Sequence, residues 1–224
     1  MLYTEQSVRA AVREEGGRSM LYLAEGDRLT PAAWDLLRRE NIVTAKKKPE
    51  HMTHLDRETV VCKTHPRIAL RGRLDSLQSE ILLLQKEPGA PVAALDDMLR
   101  LVRELVRAEV LGHCLAEYTI GGMDENELHE RSHQPQKYYG VGHFLPSASD
   151  SVVLLRLNHL RTTVRETELA AWQAFLGKDK KLSRTDIPTA LNRLSSACWV
   201  LCLAEKGGKE DGSACRTGDP KDRH

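Results

Sequence analysis

SVVLLRLNHLRTTVRETELAAWQAF, residues 151–175, is the stretch that decides the fold of this 224-residue chain. Apolar side chains recur in it with the 3.6-residue period of a helix, which predicts one face that packs on a core. The members of that face are Leu154, Leu157, Val164, Trp172 and Phe175. The segment therefore favours a mainly α protein in which this helix packs against others.

Three charged residues fall within the same stripe. Arg161, Arg165 and Glu168 stand at i, i+4 and i+7, where they would be covered by neighbouring elements. An isolated buried ion is very costly, so such residues must pair or must contact a charged ligand. Two cations with one carboxylate leave surplus positive charge, which suits a polyphosphate. A purely structural Arg–Glu pair is the alternative that the spacing leaves open.

Composition narrows the class of protein. The chain is long enough for one good core, and 33 basic against 32 acidic residues give no field that would attract nucleic acid or a membrane. No apolar run is long enough to span a bilayer, and the N-terminus carries charges where a secretory signal needs an apolar stretch. The five cysteines include no C-x-x-C pair. We expect a reduced, cytoplasmic protein.

The pattern predicts three parts. Residues 1–45 form a small mixed α/β unit, in which the run 42–45 can pair with 21–23 and Thr30-Pro31 opens a helix. Residues 46–206 form the main helical part, which begins with a polar loop at 46–67. An antiparallel bundle of four to five helices is expected. Its four long candidates are 71–87, 91–118, 148–176 and 186–204. The tail, 207–224, lacks apolar content and is expected to be disordered.

The connection at residues 119–147 is long for a helical protein, which favours a functional role. If its first part is helical, His129 and His133 stand one turn apart, a spacing that can chelate a metal. No third ligand is evident in the sequence. We therefore predict a hydrogen-bonding or ligand-contacting role for these histidines and no bound transition metal.

Four motifs in order resemble the PduO-type ATP:cob(I)alamin adenosyltransferases. R-x-x-x-R-x-x-E covers the charged triplet of residues 161–168, F-L-P-S stands at 144–147, and L-N-R-L-S stands at 191–195. Upstream, residues 63–68, Gly72 and residues 75–79 resemble that family's K-x-x-P-R-[IV]…G…D-E-L-[NS]-S segment. A set spread over so much of the chain is far more specific than any one motif.

The ethanolamine-utilisation branch of the family, the EutT family, is a closer resemblance. It shares D-R-L-T-P at 27–31, the stretch 48–55 (KPEHMTHL) and the stretch 124–135 (DENELHERSHQP). Two departures matter. The histidine and C-C-x-x-C cluster of some members is missing between 43 and 46, so their metal dependence is not carried over. The glycine-rich phosphate loop of the PduO type is also missing, and Lys46, Lys47, Lys48 and Thr53 occupy its stretch.

The resemblance implies attack of Co(I) of a reduced corrinoid on C5′ of ATP, giving adenosylcobalamin and triphosphate with the help of Mg²⁺. It assigns catalysis to Arg161, Arg165, Glu168 and Asp75, with an Asp75–Arg161 pair between helices. It assigns ATP binding to Asn192, Arg193, Lys46, Thr53, Lys63 and Arg67. For cobalamin the candidates are Phe144, Tyr138, Tyr139 and His133, among which the aromatic rings can displace the lower axial ligand.

The same resemblance implies partners: an electron-donating reductase, an adenosylcobalamin-dependent lyase or dehydratase that receives the product, and further copies of the chain in a homo-oligomer. It also implies association with a bacterial microcompartment. A non-catalytic protein that binds ATP or corrinoid for regulation or docking is the alternative, disfavoured because Asp75, Arg161, Arg165, Glu168 and Asn192 are all present. A kinase-like enzyme is disfavoured by the missing Walker motif.

Overall fold

A computed structural model describes residues 1–46, 49–56, 58–177 and 179–208. The chain divides into two compact units, Met1–Lys63 and Thr64–His224. The first unit mixes helices and strands and the second is helical, so the prediction of a mainly α protein with an N-terminal α/β part is confirmed. The first unit extends past residue 45, where its end was predicted, because the polar stretch that follows forms a hairpin. Most of the predicted disordered tail, from residue 209, lies outside the described residues.

The described residues of the first unit form three small sheets and two helices. β1 pairs with β4 in parallel, β3 lies between antiparallel β2 and parallel β5, and β6 pairs with β7 as the hairpin. The elements are β1 Leu2–Tyr3, α1 Glu5–Ala11, β2 Arg13–Glu15, β3 Arg18–Leu23, β4 Arg28–Leu29, α2 Pro31–Arg39, β5 Val43–Lys46, β6 Met52–His54 and β7 Val60–Cys62.

Two local predictions for this unit are confirmed. β3 pairs with β5 with Leu21 opposite Thr44, which places the two apolar runs side by side. α2 begins at Pro31, and the Thr30 hydroxyl accepts a hydrogen bond from the backbone N–H of Ala33 at 3.3 Å. Since proline lacks an N–H and has a helical φ, this start leaves fewer unpaired donors.

Six helices make up the described part of the second unit. They are α3 Pro66–Leu84, α4 Val92–Leu111, α5 Glu125–His133, α6 Pro135–Tyr139, α7 Val152–Phe175 and α8 Asp186–Gly207. α3 begins earlier than predicted because Pro66 stands at its first turn and His65 Nδ1 accepts from the N–H of Arg67 at 3.2 Å. α4 ends earlier than predicted because Gly112 adopts a left-handed φ of 77°.

The long helices α3, α4, α7 and α8 share one apolar core. α7 packs between α3 and α8. Two ion pairs join α3 to α7, and a third joins the turn after α3 to α7. They occur in reversed order along the chain, which shows that these two helices are antiparallel: Arg73–Glu166, Glu80–His159 and Glu87–Arg156. No helix of the described residues combines the length and apolarity needed to cross a membrane.

The stripe predicted on α7 is confirmed for Leu154, Leu157, Val164 and Phe175, which are buried. Trp172 is half-buried. The prediction that charges occupy the middle of this stripe is wrong. Arg161 is half-buried and Arg165 is exposed, because the buried line of α7 runs through Leu160 and Val164 and leaves both arginines at its edge.

Candidate active site

A cavity of about 730 Å³ opens between α5, α7, α8 and the segment that precedes α7. Six of the residues that the sequence predicts for the site line this cavity: Arg161, Arg165, Asn192, Arg193, Phe144 and His133. They come from parts of the chain up to sixty residues apart. Their convergence brings the predicted ATP-binding and cobalamin-binding groups to one place.

Helical spacing explains which side chains reach the cavity. On α8, Asn192, Ser195, Ser196 and Trp199 stand at i, i+3, i+4 and i+7 and so share one face. On α7, His159 and Glu166 face α3, and with 3.6 residues per turn Arg161 lies about 160° round the helix from His159. The arginine edge of α7 is therefore turned away from α3 and toward α8.

The described lining of the cavity has positive charge without a compensating carboxylate. Its charged side chains are three arginines, and it contains no aspartate or glutamate: Arg161, Arg165 and Arg193. Such a wall attracts anions, and its effect is strong because the cavity is partly shielded from water.

One carboxylate stands directly behind this wall. Glu168 Oε1 accepts a hydrogen bond from Asn192 Nδ2 at 3.2 Å and lies 3.4 Å from Trp172 Nε1. Arg193 in turn donates to Asn192 Oδ1. These contacts hold the Asn192 amide between the Glu168 carboxylate and the Arg193 guanidinium, so the orientation of the amide is set before a ligand binds.

An aromatic group occupies one side of the cavity. Trp199 stacks on His143, with centroids 6.0 Å apart and planes within 6°, and on Phe144 at 5.0 Å. The guanidinium carbon of Arg161 lies 5.2 Å from the indole centroid. Leu145, next along the same segment, is 92% exposed. A large apolar ligand thus meets exposed hydrophobic surface at this rim.

The two histidines of α5 lie together at the wall. Their ring centroids are 4.2 Å apart, and His133 Nδ1 donates to the carbonyl of His129 at 2.8 Å. Desolvation, His133 and Arg193 lower the pKa of His129, which keeps its ring neutral near pH 7. Among the described residues, no group of three or more His, Cys, Asp or Glu side chains could hold a metal ion.

Three further predicted residues of the second unit lie away from the cavity. Arg67 is bound by the buried Glu109, with Nε 2.6 Å from Oε1. Tyr139 is buried in the core, where burial raises the pKa of its hydroxyl. Tyr138 donates to Glu130 at 2.5 Å, between the cations of Arg131 and Lys137. None of these three lines the cavity.

The predicted Asp75–Arg161 pair is not formed within the chain. Asp75 is exposed on α3 and accepts a hydrogen bond from Gln78 at 3.3 Å. Arg161 has no ion pair in the part of the chain that the structure describes, and it lies on the side of α7 opposite α3. The family motifs identify both residues, but they do not indicate that the two side chains lie apart within one chain.

The remaining ATP-binding candidates belong to the first unit. Lys46 ends β5 with its ammonium 3.9 Å from Glu25, Thr53 lies in β6, and Lys63 closes the unit. Lys47 and Lys48 lie outside the described residues. The roles of these residues in binding triphosphate stay predictions.

Sequence reasoning missed Trp199, His143 and the serine pair of α8. A signal was available for three of them. Trp199, Ser195 and Ser196 follow Asn192 at helical spacing, so once Asn192 is placed in a site its neighbours at i+3, i+4 and i+7 belong there too. His143 had no such signal because it lies outside any helix.

The fold and the cavity define a class of protein. The family model for cobalamin adenosyltransferase matches residues 43–205, and the chain belongs to that family. This confirms the resemblance drawn from the motifs. A variant of a PduO-type ATP:corrinoid adenosyltransferase from Lactobacillus reuteri, solved with cobalamin and ATP, has a similar fold. The TM-score is 0.56 at 17% identity, and the match covers 71% of this chain and 88% of the other.

Within the family, the chain is similar to the corrinoid adenosyltransferase EutT of Salmonella typhimurium and to that of Escherichia coli K12. Each is 40% identical over 158 residues, which are 70% of this chain. The chain matches 59% of the length of these relatives.

Proposed function

We propose that this protein transfers the 5′-deoxyadenosyl group of ATP to cob(I)alamin, giving adenosylcobalamin and triphosphate. The observation that carries the proposal is the positively charged cavity with an apolar rim, built by the motifs of a cobalamin adenosyltransferase. A polyphosphate suits its arginines, and a corrin suits its exposed aromatic and aliphatic side chains.

The reaction depends on alignment of the two substrates and on stabilisation of negative charge more than on acid–base catalysis. The electron pair of Co(I) forms the bond to C5′, and the C5′–O bond breaks with its electrons leaving on the triphosphate. Arg161, Arg165 and Arg193 stabilise the negative charge that develops there. Asn192, held by Glu168, fixes the nucleotide so that cobalt and leaving oxygen are in line.

The family resemblance implies Mg²⁺, and its protein ligand would be Glu168, which contacts Asn192 from behind the cavity lining. Magnesium in nucleotide sites takes one or two carboxylates together with substrate phosphates, and Glu168 is the carboxylate that contacts the lining residue Asn192. Glu168 would hold the ion, and the bound ion would neutralise charge on the triphosphate. Asn192 would then keep the carboxylate oriented.

We further propose that Phe144 contacts the lower face of the corrin, and that this helps a reductase make Co(I). Phe144 lies on Trp199 beside the exposed Leu145, which offers an apolar surface to the ring. Phe144→Ala should lose activity mainly when the assay starts from cob(II)alamin with a flavoprotein reductant. Equal losses with prereduced cob(I)alamin would show that Phe144 only shapes the cavity.

The separation of Asp75 from Arg161 supports a homo-oligomer. If the motif carboxylate and the motif arginine meet, as the resemblance implies, an exposed Asp75 must come from a second copy. Charge reversal tests this: Asp75→Arg and Arg161→Asp should each disrupt assembly, measured by light scattering, and should restore it when combined. We place this site on an antiparallel bundle formed by the four long helices.

The resemblance also supports a cytoplasmic setting in ethanolamine or related cobalamin-dependent metabolism. There the product would pass to an adenosylcobalamin-dependent lyase or dehydratase, within or beside a microcompartment. The decisive experiment is anaerobic incubation with ATP, Mg²⁺ and chemically reduced cobalamin, with the corrin spectrum followed for the adenosyl product. Tight binding of both substrates without product would favour the non-catalytic alternative.

A further inference from the structure

We infer that Trp199 is a positioning residue for Arg161, and that its indole face holds the guanidinium at the cavity wall while leaving the N–H donors free for an anion. The inference rests on the proposed function only in naming that anion as the triphosphate of ATP. It assigns a task to a side chain that the motifs do not single out.

The first observation is how Arg161 is held. Its guanidinium carbon lies 5.2 Å from the Trp199 centroid, within the range at which a cation is attracted to an aromatic face. In the part of the chain that the structure describes, the side chain of Arg161 makes no hydrogen bond or ion pair. The indole is therefore its main contact at the wall.

The second observation is what this contact leaves available. A guanidinium carries five N–H donors in one plane, and a carboxylate partner uses them. Arg67 shows this, since its Nε donates to the Glu109 carboxylate at 2.6 Å, and its Nη2 donates to the backbone carbonyl of the same residue at 2.8 Å. The face of an aromatic ring attracts the positive charge but accepts no hydrogen bond from these N–H donors. Arg161 thus stays ordered and keeps its full capacity for phosphate oxygens.

The third observation is that the indole itself is fixed. Trp199 is half-buried against the core, and the nearly parallel His143 and the tilted Phe144 stack on it. The anion-binding arginine and the segment proposed to contact the corrin therefore share one ring. A shift of Phe144 when the corrin binds would move Trp199, and Arg161 with it.

A contrast within the cavity supports this assignment. Arg165, one turn further along α7, is exposed and contacts no aromatic ring among the described residues. Trp172, the other tryptophan near this helix edge, has its Nε1 directed to Glu168. Of these two tryptophans, Trp199 is thus the one whose ring face contacts an arginine of the cavity.

The test measures binding of inorganic triphosphate to the full chain by calorimetry, without cobalamin. Trp199→Phe keeps an aromatic face and should stay within about threefold of the wild-type Kd, whereas Trp199→Leu keeps apolar bulk without the face and should weaken binding about fivefold or more. Equal losses in both variants would overturn the inference.

A double-mutant cycle separates positioning from packing. In an Arg161→Met background, Trp199→Leu should cost no further affinity, because the cation that the ring holds is gone. The same loss in both backgrounds would show that Trp199 acts only by packing. Thermal unfolding of each variant shows that it is folded.

Fluorine NMR supplies an independent readout. With 5-fluorotryptophan at Trp34, Trp172 and Trp199, each signal assigned by a Trp→Phe variant, triphosphate should shift the Trp199 resonance and leave Trp34 in place. An unmoved Trp199 signal at saturation, or no binding of triphosphate, contradicts the inference. Intact Trp199-dependent binding in a protein that makes no adenosylcobalamin would instead contradict the proposed function alone.

Discussion

Two pairs of arginines in the helical unit stand at the same spacing and have opposite surroundings. Arg67 and Arg71 are one turn apart on α3, and both contact the carboxylate of Glu109, whose side chain is fully buried. Arg161 and Arg165 are one turn apart on α7, and neither has an ion pair among the described residues. The first pair is bound by the protein itself, and the second has no carboxylate partner among the described residues.

A third arginine, Arg184, is also bound by the protein, near the end of α4. Arg184 donates to the carbonyls of Ala108 and His113 at 2.6 and 2.8 Å and forms an ion pair with Asp186 at 2.5 Å. Helix ends leave carbonyls without partners, and cations there satisfy them. The donors of these arginines are already used by the protein. The position of the carboxylates, more than the spacing of the arginines, decides which arginines keep unused donors.

The largest effect should come from removing the buried carboxylate. Glu109→Gln keeps the shape of the side chain but leaves Arg67 and Arg71 without a negative partner, so the free energy of unfolding should fall by about 3 kcal/mol. Denaturant unfolding followed by circular dichroism measures this. A loss below about 1 kcal/mol would mean that the arginines simply turn to solvent, and would weaken the contrast.

The cavity arginines should behave in the reverse way. Arg165→Ala should lower kcat/KM for ATP at least tenfold, a transition-state loss of about 1.4 kcal/mol, and should leave stability within about 0.5 kcal/mol. Arg156 is the matched control, since it is a half-exposed arginine of the same helix that is paired with Glu87. Arg156→Ala should keep wild-type kinetics. If both variants lose activity equally, position in the cavity is irrelevant.

A smaller effect is expected at the end of α4. A double-mutant cycle with Arg184→Met and Asp186→Asn should give a coupling free energy of about 1 kcal/mol, because the side chains share two close contacts. The KM for ATP should not change in either variant. Additive losses of stability would show that Arg184 acts through the helix carbonyls alone.

The sequence could predict the helix that carries the site and several of its residues, because the apolar period and the family motifs are local properties. It could not separate the two arginine pairs by their protein partners, and the assignment of Arg67 to ATP stays a prediction. Glu109 is 42 residues from Arg67 in the chain, and nothing in the local pattern signals that contact. The burial of Tyr139 is likewise not signalled, since an aromatic residue in a connection can equally face the core, and its role in cobalamin binding stays a prediction.

The smallest expected effect is a pH-dependent change in the free energy of unfolding. Lys206 and the N–H of Ser147, which is 2.7 Å from Oδ2, hold the pKa of Asp150 below its usual 3.8. A carboxyl whose pKa is lowered by folding contributes stability above its unfolded pKa and loses it as pH falls through the folded value. Asp150→Asn should therefore be slightly less stable than wild type at pH 7, and the difference should vanish well below pH 3.8 in urea titrations. Arg161→Met, which removes a cation without a carboxylate partner, should leave the difference from wild type flat across the same range. An acid-dependent difference in that variant would reveal a carboxylate acting on Arg161, and the two pairs of arginines would then differ less than their contacts indicate.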